Sequence, residues 1–160
     1  MSAIDRILQS YRDAAVTERE KGTYFERLAL AFFKNDPVQA EEYVEVWTWA
    51  EWAKVSERDG KDIGIDLVAK LRNEDGFAAI QAKFYAADVR IQKSHIDSFI
   101  SASGKEPFKR RVVLDTTERE WGTNAEEMIR DQSIPVVRIG LTDLRESRIG
   151  TVQNVGVMPL

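Results

Sequence analysis

The stretch from Gly64 to Tyr85, GIDLVAKL-RNEDG-FAAIQAKFY, restricts the fold of this chain more than any other segment. Two runs rich in β-branched, aromatic and small apolar residues flank the turn-forming NEDG, which is the pattern of a β-hairpin. Gln81 and Lys83 interrupt the second run, and a lysine withdrawn from water is costly unless it is partnered. Strand side chains alternate with period two, so Asp66, Gln81 and Lys83 share one face for either plausible loop length. A four-residue loop at Asn73–Gly76 sets Asp66 opposite Lys83. A two-residue loop at Asp75-Gly76 sets it opposite Tyr85 instead. The spacing therefore predicts that Asp66 faces Lys83, while Ile80, Ala82 and Phe84 point into the core.

Around the hairpin the periodicity shifts to that of helices. Ile4, Ile7, Leu8, Tyr11 and Ala15 predict an amphipathic helix over 3–16. A second helix is expected after Gly22, with Thr23 as N-cap and Glu26 three residues on as its capping-box partner, ending at the NDP of 35–37. YVEVWTW, 43–49, reads as a strand. Its tryptophans and Trp52 could stack on bases, but packing in the core is the commoner use of such rings. SERDGKD is loop. A helix over 92–103 ends at Gly104, and strands follow at 110–116 and 134–139. Between those strands lies a helix over 124–132, capped by Thr123 or Asn124, and TDLRES begins a short last helix. The order α-α-β-β-β-α-β-α-β defines an α/β fold, with a mixed central sheet that contains a hairpin and is flanked by helices.

A chain of 160 residues fits one domain with a real core. It has no cysteine, which excludes disulfides, thiolate metal sites and cysteine nucleophiles. No apolar run reaches membrane-spanning length and no signal-peptide core is present, so the cytoplasm is the expected compartment. A net charge of −4 argues against a protein that simply coats a nucleic-acid backbone. The charge is uneven: residues 17–60 carry six Lys/Arg and ten Asp/Glu, whereas residues 83–111 carry seven and three. The basic segment is either a solvated face or a phosphate-binding surface.

An Asp–Lys pair is common in sheets, yet burying one is weak evidence of stabilisation. A carboxylate, an amide and a lysine gathered at a strand end are hard to justify by stability alone. DIGIDLVAK followed by AIQAKFY resembles the catalytic core of the PD-(D/E)XK nuclease superfamily, and the Gln-x-Lys form resembles its Mrr-like restriction endonuclease branch. GTYFERL, VVLDTT and NAEEMI agree in order, and VWTWAEW ahead of the Asp motif resembles the N-terminal nuclease domain of Type ISP restriction–modification enzymes. The resemblance implies a restriction-endonuclease-like core that hydrolyses DNA phosphodiester bonds with Mg²⁺, or Mn²⁺ in its place. It implies Asp66, Gln81 and the Ala82 carbonyl as metal ligands, and Lys83 as the group that orients water and stabilises the transition state. Mg²⁺ suits this set, because it takes oxygen ligands and keeps several waters.

Glu26 is contested between this site and the capping box. Asp62 rivals Asp66 within the same DIGID, but Asp66 lies inside the strand. Lys93, Lys109, Arg110 and Thr116 are candidate contacts to double-stranded DNA, and His95, the sole histidine, is expected on a helix surface. Residues 1–20 are expected to form a helical arm, 21–145 the nuclease core and 146–160 a linker. Helicase or translocase and methyltransferase domains would then lie elsewhere on the same polypeptide, and pairing with a second copy would allow double-strand cleavage. The competing reading is an inactive nuclease-fold module that binds DNA or a partner.

Overall fold

Three strands fold back on one another before the first crossover. In a computed structural model that describes residues 2–61 and 63–147, β1 (Tyr43–Thr48), β2 (Leu67–Leu71) and β3 (Phe77–Lys83) form an antiparallel meander. Helix α5 (Lys93–Ser103) carries the chain to β4 (Phe108–Asp115), and α6 (Thr123–Ile129) carries it to β5 (Val136–Ile139), both parallel to β3 or its neighbour. The result is one mixed sheet in the order β1-β2-β3-β4-β5. Strand alternation divides its core in two. Leu67, Ala69, Ala78, Ile80, Val112 and Leu114 meet α1 (Ala3–Ala14) and α2 (Glu18–Asn35) on one face. Val68, Ala79 and Val113 meet Trp52, Phe99, Trp121 and Ala125 on the other.

The α/β class and the mixed, hairpin-containing sheet stand as expected, with two additional short helices, α3 (Pro37–Glu42) and α4 (Trp49–Val55). Asp36 caps α3, with Pro37 at its first position, where a missing N–H costs nothing. Thr48 and Glu51 form a full capping box that turns the tryptophan-rich segment from strand into α4. Trp52 is buried against Phe77 and Phe108, so this ring is used for packing. The last helix among the described residues is α7 (Leu141–Glu146), the short helix expected at TDLRES. No helix among the described residues is long and apolar enough to cross a membrane.

Three local expectations are corrected. Helix α2 begins at Glu18, not after Gly22, because Thr17 accepts the Glu20 amide as N-cap. The Thr23 hydroxyl donates back to the Arg19 carbonyl from within the helix, so Glu26 is not a capping-box residue. The expected boundary at residue 20 thus falls inside α2, and Ile4, Leu8 and Tyr11 of α1 are buried in the core. Helix α6 is capped by Gly122 without a side-chain bond. The linker expected over 146–160 lies, from residue 148, outside the described residues.

The third correction is the hairpin register. Lys70 pairs with Phe77 and Leu67 with Ile80, two residues away from the four-residue-loop alignment. The Leu71 amide donates to the Gly76 carbonyl and closes a loop over residues 72–75, one residue earlier in the chain than expected. Gly76 has φ +107°, and a Cβ there would stand 3.2 Å from the Pro107 carbonyl oxygen, so the turn requires glycine. The aligned pairs stop at Leu67 and Ile80, so Asp66 lies just before β2 rather than inside the strand or opposite Lys83, and its amide donates to the Ile80 carbonyl. Gln81 and Lys83 share one face of β3 by alternation, whereas Asp66, outside the paired strand, reaches β3 through its own carboxylate at the Ala82 amide.

Candidate active site

The open end of the hairpin is built by backbone bonds that leave polar side chains together. The Asp66 amide donates to Ile80 O at 3.0 Å, and Asp66 O accepts from the Trp49 amide that starts α4. Asp66 Oδ2 accepts from the Ala82 amide at 2.8 Å, which holds the carboxylate against the peptide between Gln81 and Lys83. Gln81 is 6% exposed, and its Nε2 donates to Gly64 O at 3.1 Å. Because a carbonyl only accepts, this bond identifies the amide nitrogen and leaves Oε1 as the other atom. Gln81 Oε1 is buried and, among the described residues, has no hydrogen-bond partner. Gly64 has φ +96°, and a Cβ would lie 3.2 Å from Ser98 Cβ, so glycine lets this segment pass close to α5 in the conformation that offers its carbonyl to Gln81.

Lys83 ends β3 half-buried, and among the described residues its ammonium forms no ion pair. Its lateral neighbour in β4 is Asp115, fully buried on the same face. Asp115 is gripped by Arg138 from both guanidinium prongs, at 2.9 and 3.0 Å, and also accepts from Thr117 and Trp121. Sequence reasoning missed Asp115, Arg138 and the role of Gly64. The signal for Asp115 was the same as for Lys83, a charge inside an apolar strand, VVLD.

The remaining candidates divide by location. Glu26 is half-buried on α2 beside Phe25, whose ring stacks on Phe84 at 5.3 Å. That contact sets this turn of α2 at the Lys83 end of β3. Lys93 opens α5 just after the site and pairs with Asp97 at 2.9 Å. His95 accepts the Gln92 amide through Nδ1 and packs against Tyr85. Thr116 does not line the surface: it is buried, and its hydroxyl both donates to Tyr85 O and accepts from Tyr85 N. Lys109 and Arg110 lie at the other end of β4, paired with Glu106 and Glu42. Arg110 aligns with Ala78, five residues before Lys83 or about 16 Å along the strand. Neither is brought to Asp66. Asp62 lies outside the described residues.

Among the described residues no three His, Cys, Asp or Glu side chains gather as a metal cage. Mg²⁺ does not need one, since one carboxylate with neutral oxygens and water suits it. The Asp66 carboxylate and the Gln81 oxygen, buried without a partner among the described residues, fit such an ion in their chemistry, with the Ala82 carbonyl as the expected third ligand.

A restriction-endonuclease-like core with a polar cluster at the hairpin mouth defines the class, and the chain belongs to the Mrr_cat_2 restriction endonuclease family, whose profile matches residues 34–154. Among solved structures it is similar to the ATP-dependent Type ISP restriction–modification enzyme LlaBIII, determined bound to DNA. The two share 36% identity at a TM-score of 0.67, over 92% of this chain but only 9% of LlaBIII. It also shares its fold with the DNA modification-dependent restriction endonuclease AspBHI, at 18% identity, TM-score 0.59, 98% of this chain and 37% of that one. MspJI in complex with a 27-mer oligonucleotide gives 15% identity, TM-score 0.56, 96% and 33%. No curated protein sequence matches.

Proposed function

We propose that this chain is the cleavage module of a larger ATP-dependent restriction–modification enzyme, and that it hydrolyses phosphodiester bonds of double-stranded DNA with a divalent metal ion. The observation that carries this reading is the buried Gln81 Oε1, which no donor among the described residues satisfies, next in sequence to the Ala82 amide that holds the Asp66 carboxylate. A buried acceptor left without a partner costs about 1–3 kcal/mol, and in a native protein such an atom asks for an explanation, a bound ion among them. The 36% identity to LlaBIII over nearly the whole chain supports the same reading.

In this scheme Asp66 supplies the negative charge of the metal site, Gln81 Oε1 and the Ala82 carbonyl supply neutral oxygens, and Mg²⁺ or Mn²⁺ contributes Lewis acidity and a lowered water pKa. Asp66 is pre-positioned by the Ala82 amide, so little reorganisation accompanies binding. Lys83 meets the scissile phosphate with an ammonium not committed to a carboxylate, orients the attacking water and stabilises the charge that builds as water adds to phosphorus. The opposite P–O bond breaks and its oxygen takes up a proton. Glu26 orients water or holds a second ion. With a neutral amide in place of a second carboxylate, metal affinity without DNA is modest. Lys93, on the site side, contacts the DNA backbone.

Calorimetry with Mn²⁺ tests the metal site directly. Wild type is expected to bind weakly and saturably, and Asp66→Ala to lose that heat. Equal binding by both would remove Asp66 from the site.

A further inference from the structure

Lys83 stands directly beside a buried carboxylate and does not pair with it. Lys83 and Asp115 are aligned partners in parallel strands, so their side chains leave the same face of the sheet about 5 Å apart. A buried aspartate in contact range of a flexible lysine ordinarily captures it, because each charge lacks water. Here both Asp115 oxygens are already taken: Oδ2 by Arg138 Nε and Trp121 Nε1, Oδ1 by Arg138 Nη2 and by the amide and hydroxyl of Thr117. Arg138 is locked in turn by Thr117 Oγ1, by the Arg119 carbonyl and by lying over the Trp121 ring at 5.4 Å. Its planar fork matches a carboxylate in a way that a lysine ammonium cannot.

We propose that Arg138 is a positioning residue that saturates Asp115 and so leaves the Lys83 ammonium uncommitted for the scissile phosphate. The proposal rests on the nuclease reading for its consequence in catalysis, but the capture it prevents is a property of the free protein. Arg138 sits in β5, a strand outside the hairpin that carries Asp66, Gln81 and Lys83, and it extends the functional network across three strands.

The test combines a structure with a charge-swap cycle. In crystals of metal-free Arg138→Met, Lys83 Nζ is expected within ion-pair distance of Asp115, and DNA cleavage is expected to fall about 100-fold, the scale on which a preorganised electrostatic group acts. Asp115→Asn/Arg138→Met, which removes both charges, is expected to recover to within about tenfold of wild type, because asparagine does not capture an ammonium. Asp115→Asn alone is expected to stay within the same range, and it decides the matter if Arg138→Met does not fold. Far-UV circular dichroism and melting confirm that each variant compared is folded at the assay temperature. Loss of cleavage in Asp115→Asn as deep as in Asp66→Ala would overturn the proposal and make Asp115 a participant in its own right. An Arg138→Met crystal with Lys83 still apart from Asp115 would overturn it too. If wild type itself does not cleave, the nuclease reading falls, and the Lys83–Asp115 distance still decides whether Arg138 prevents capture.

Discussion

Asp66 and Ala82 are joined across the mouth of the hairpin, carboxylate Oδ2 to amide nitrogen at 2.8 Å. The bond does two things at once. It terminates β-pairing where Leu67 and Ile80 are the last aligned residues, and it turns the carboxylate toward the strand that carries Gln81 and Lys83.

Gln81 is the residue whose chemistry is most easily adjusted. Gln81→Glu places a charge where Oε1 now lacks a partner, and Mn²⁺ affinity measured by calorimetry is expected to rise. Gln81→Met, of similar size, is expected to abolish metal binding with little change in melting temperature. It forfeits the bond to Gly64 O but also removes the unsatisfied acceptor, and these oppose each other at about 1 kcal/mol each.

The hairpin shows how far sequence reasoning reached. The common face of Gln81 and Lys83 was legible because period-two alternation within one strand does not depend on register. Where Asp66 stands relative to β3 was not, since it depends on a loop closed between Leu71 and Gly76 rather than within NEDG. Helix α2 was misread at its start for a local reason. Gly22 looks like a break, yet a Cβ there meets nothing within 4 Å, and the real cap signal is Thr17 with Glu20. Helix α4 carried its own signature in Thr48 and Glu51. The grip of Arg138 on Asp115 joins residues 23 apart on different strands, and no local pattern encodes it.

Glu26 now separates from its capping alternative. Thr17→Ala is expected to cost about 1 kcal/mol of stability, and Thr23→Ala clearly less, in urea unfolding. Glu26→Gln, which keeps the side chain's size, is expected to lower cleavage at least as strongly as it lowers stability. Full activity in Glu26→Gln would remove this residue from the site.

Location sorts the basic residues. Lys93→Ala is expected to weaken DNA binding and to reduce the slope of log affinity against log salt by about 1. Arg110→Ala, at the far end of β4 and engaged with Glu42, is expected to leave that slope unchanged. Fluorescence anisotropy over a salt series reads both.

Two carboxyl groups make local contributions that depend on pH. Burial raises the Asp5 carboxyl, but its bonds with Ser2 and Arg145 outweigh this and hold it below the usual range. The Thr48 amide bond lowers Glu51 in the same direction. Depressed native values mean stability that is present above the ordinary carboxylate range, near pH 4, and lost as pH falls through the native values beneath it. Asp5→Asn and Glu51→Gln are therefore expected to melt lower than wild type near neutrality, with the gap closing in strong acid. Melting curves recorded from pH 7 to pH 2 check the sign.

On the proposed function, Asp66 and Lys83 cut DNA with a divalent ion. Supercoiled plasmid incubated at low salt with Mg²⁺ or Mn²⁺ tests it, using the enzyme that carries this domain together with its Asp66→Ala and Lys83→Ala variants. Nicked or linear product from wild type, lost in both variants and on chelation, is the predicted result. Cleavage that persists undiminished in either variant would contradict the assignment.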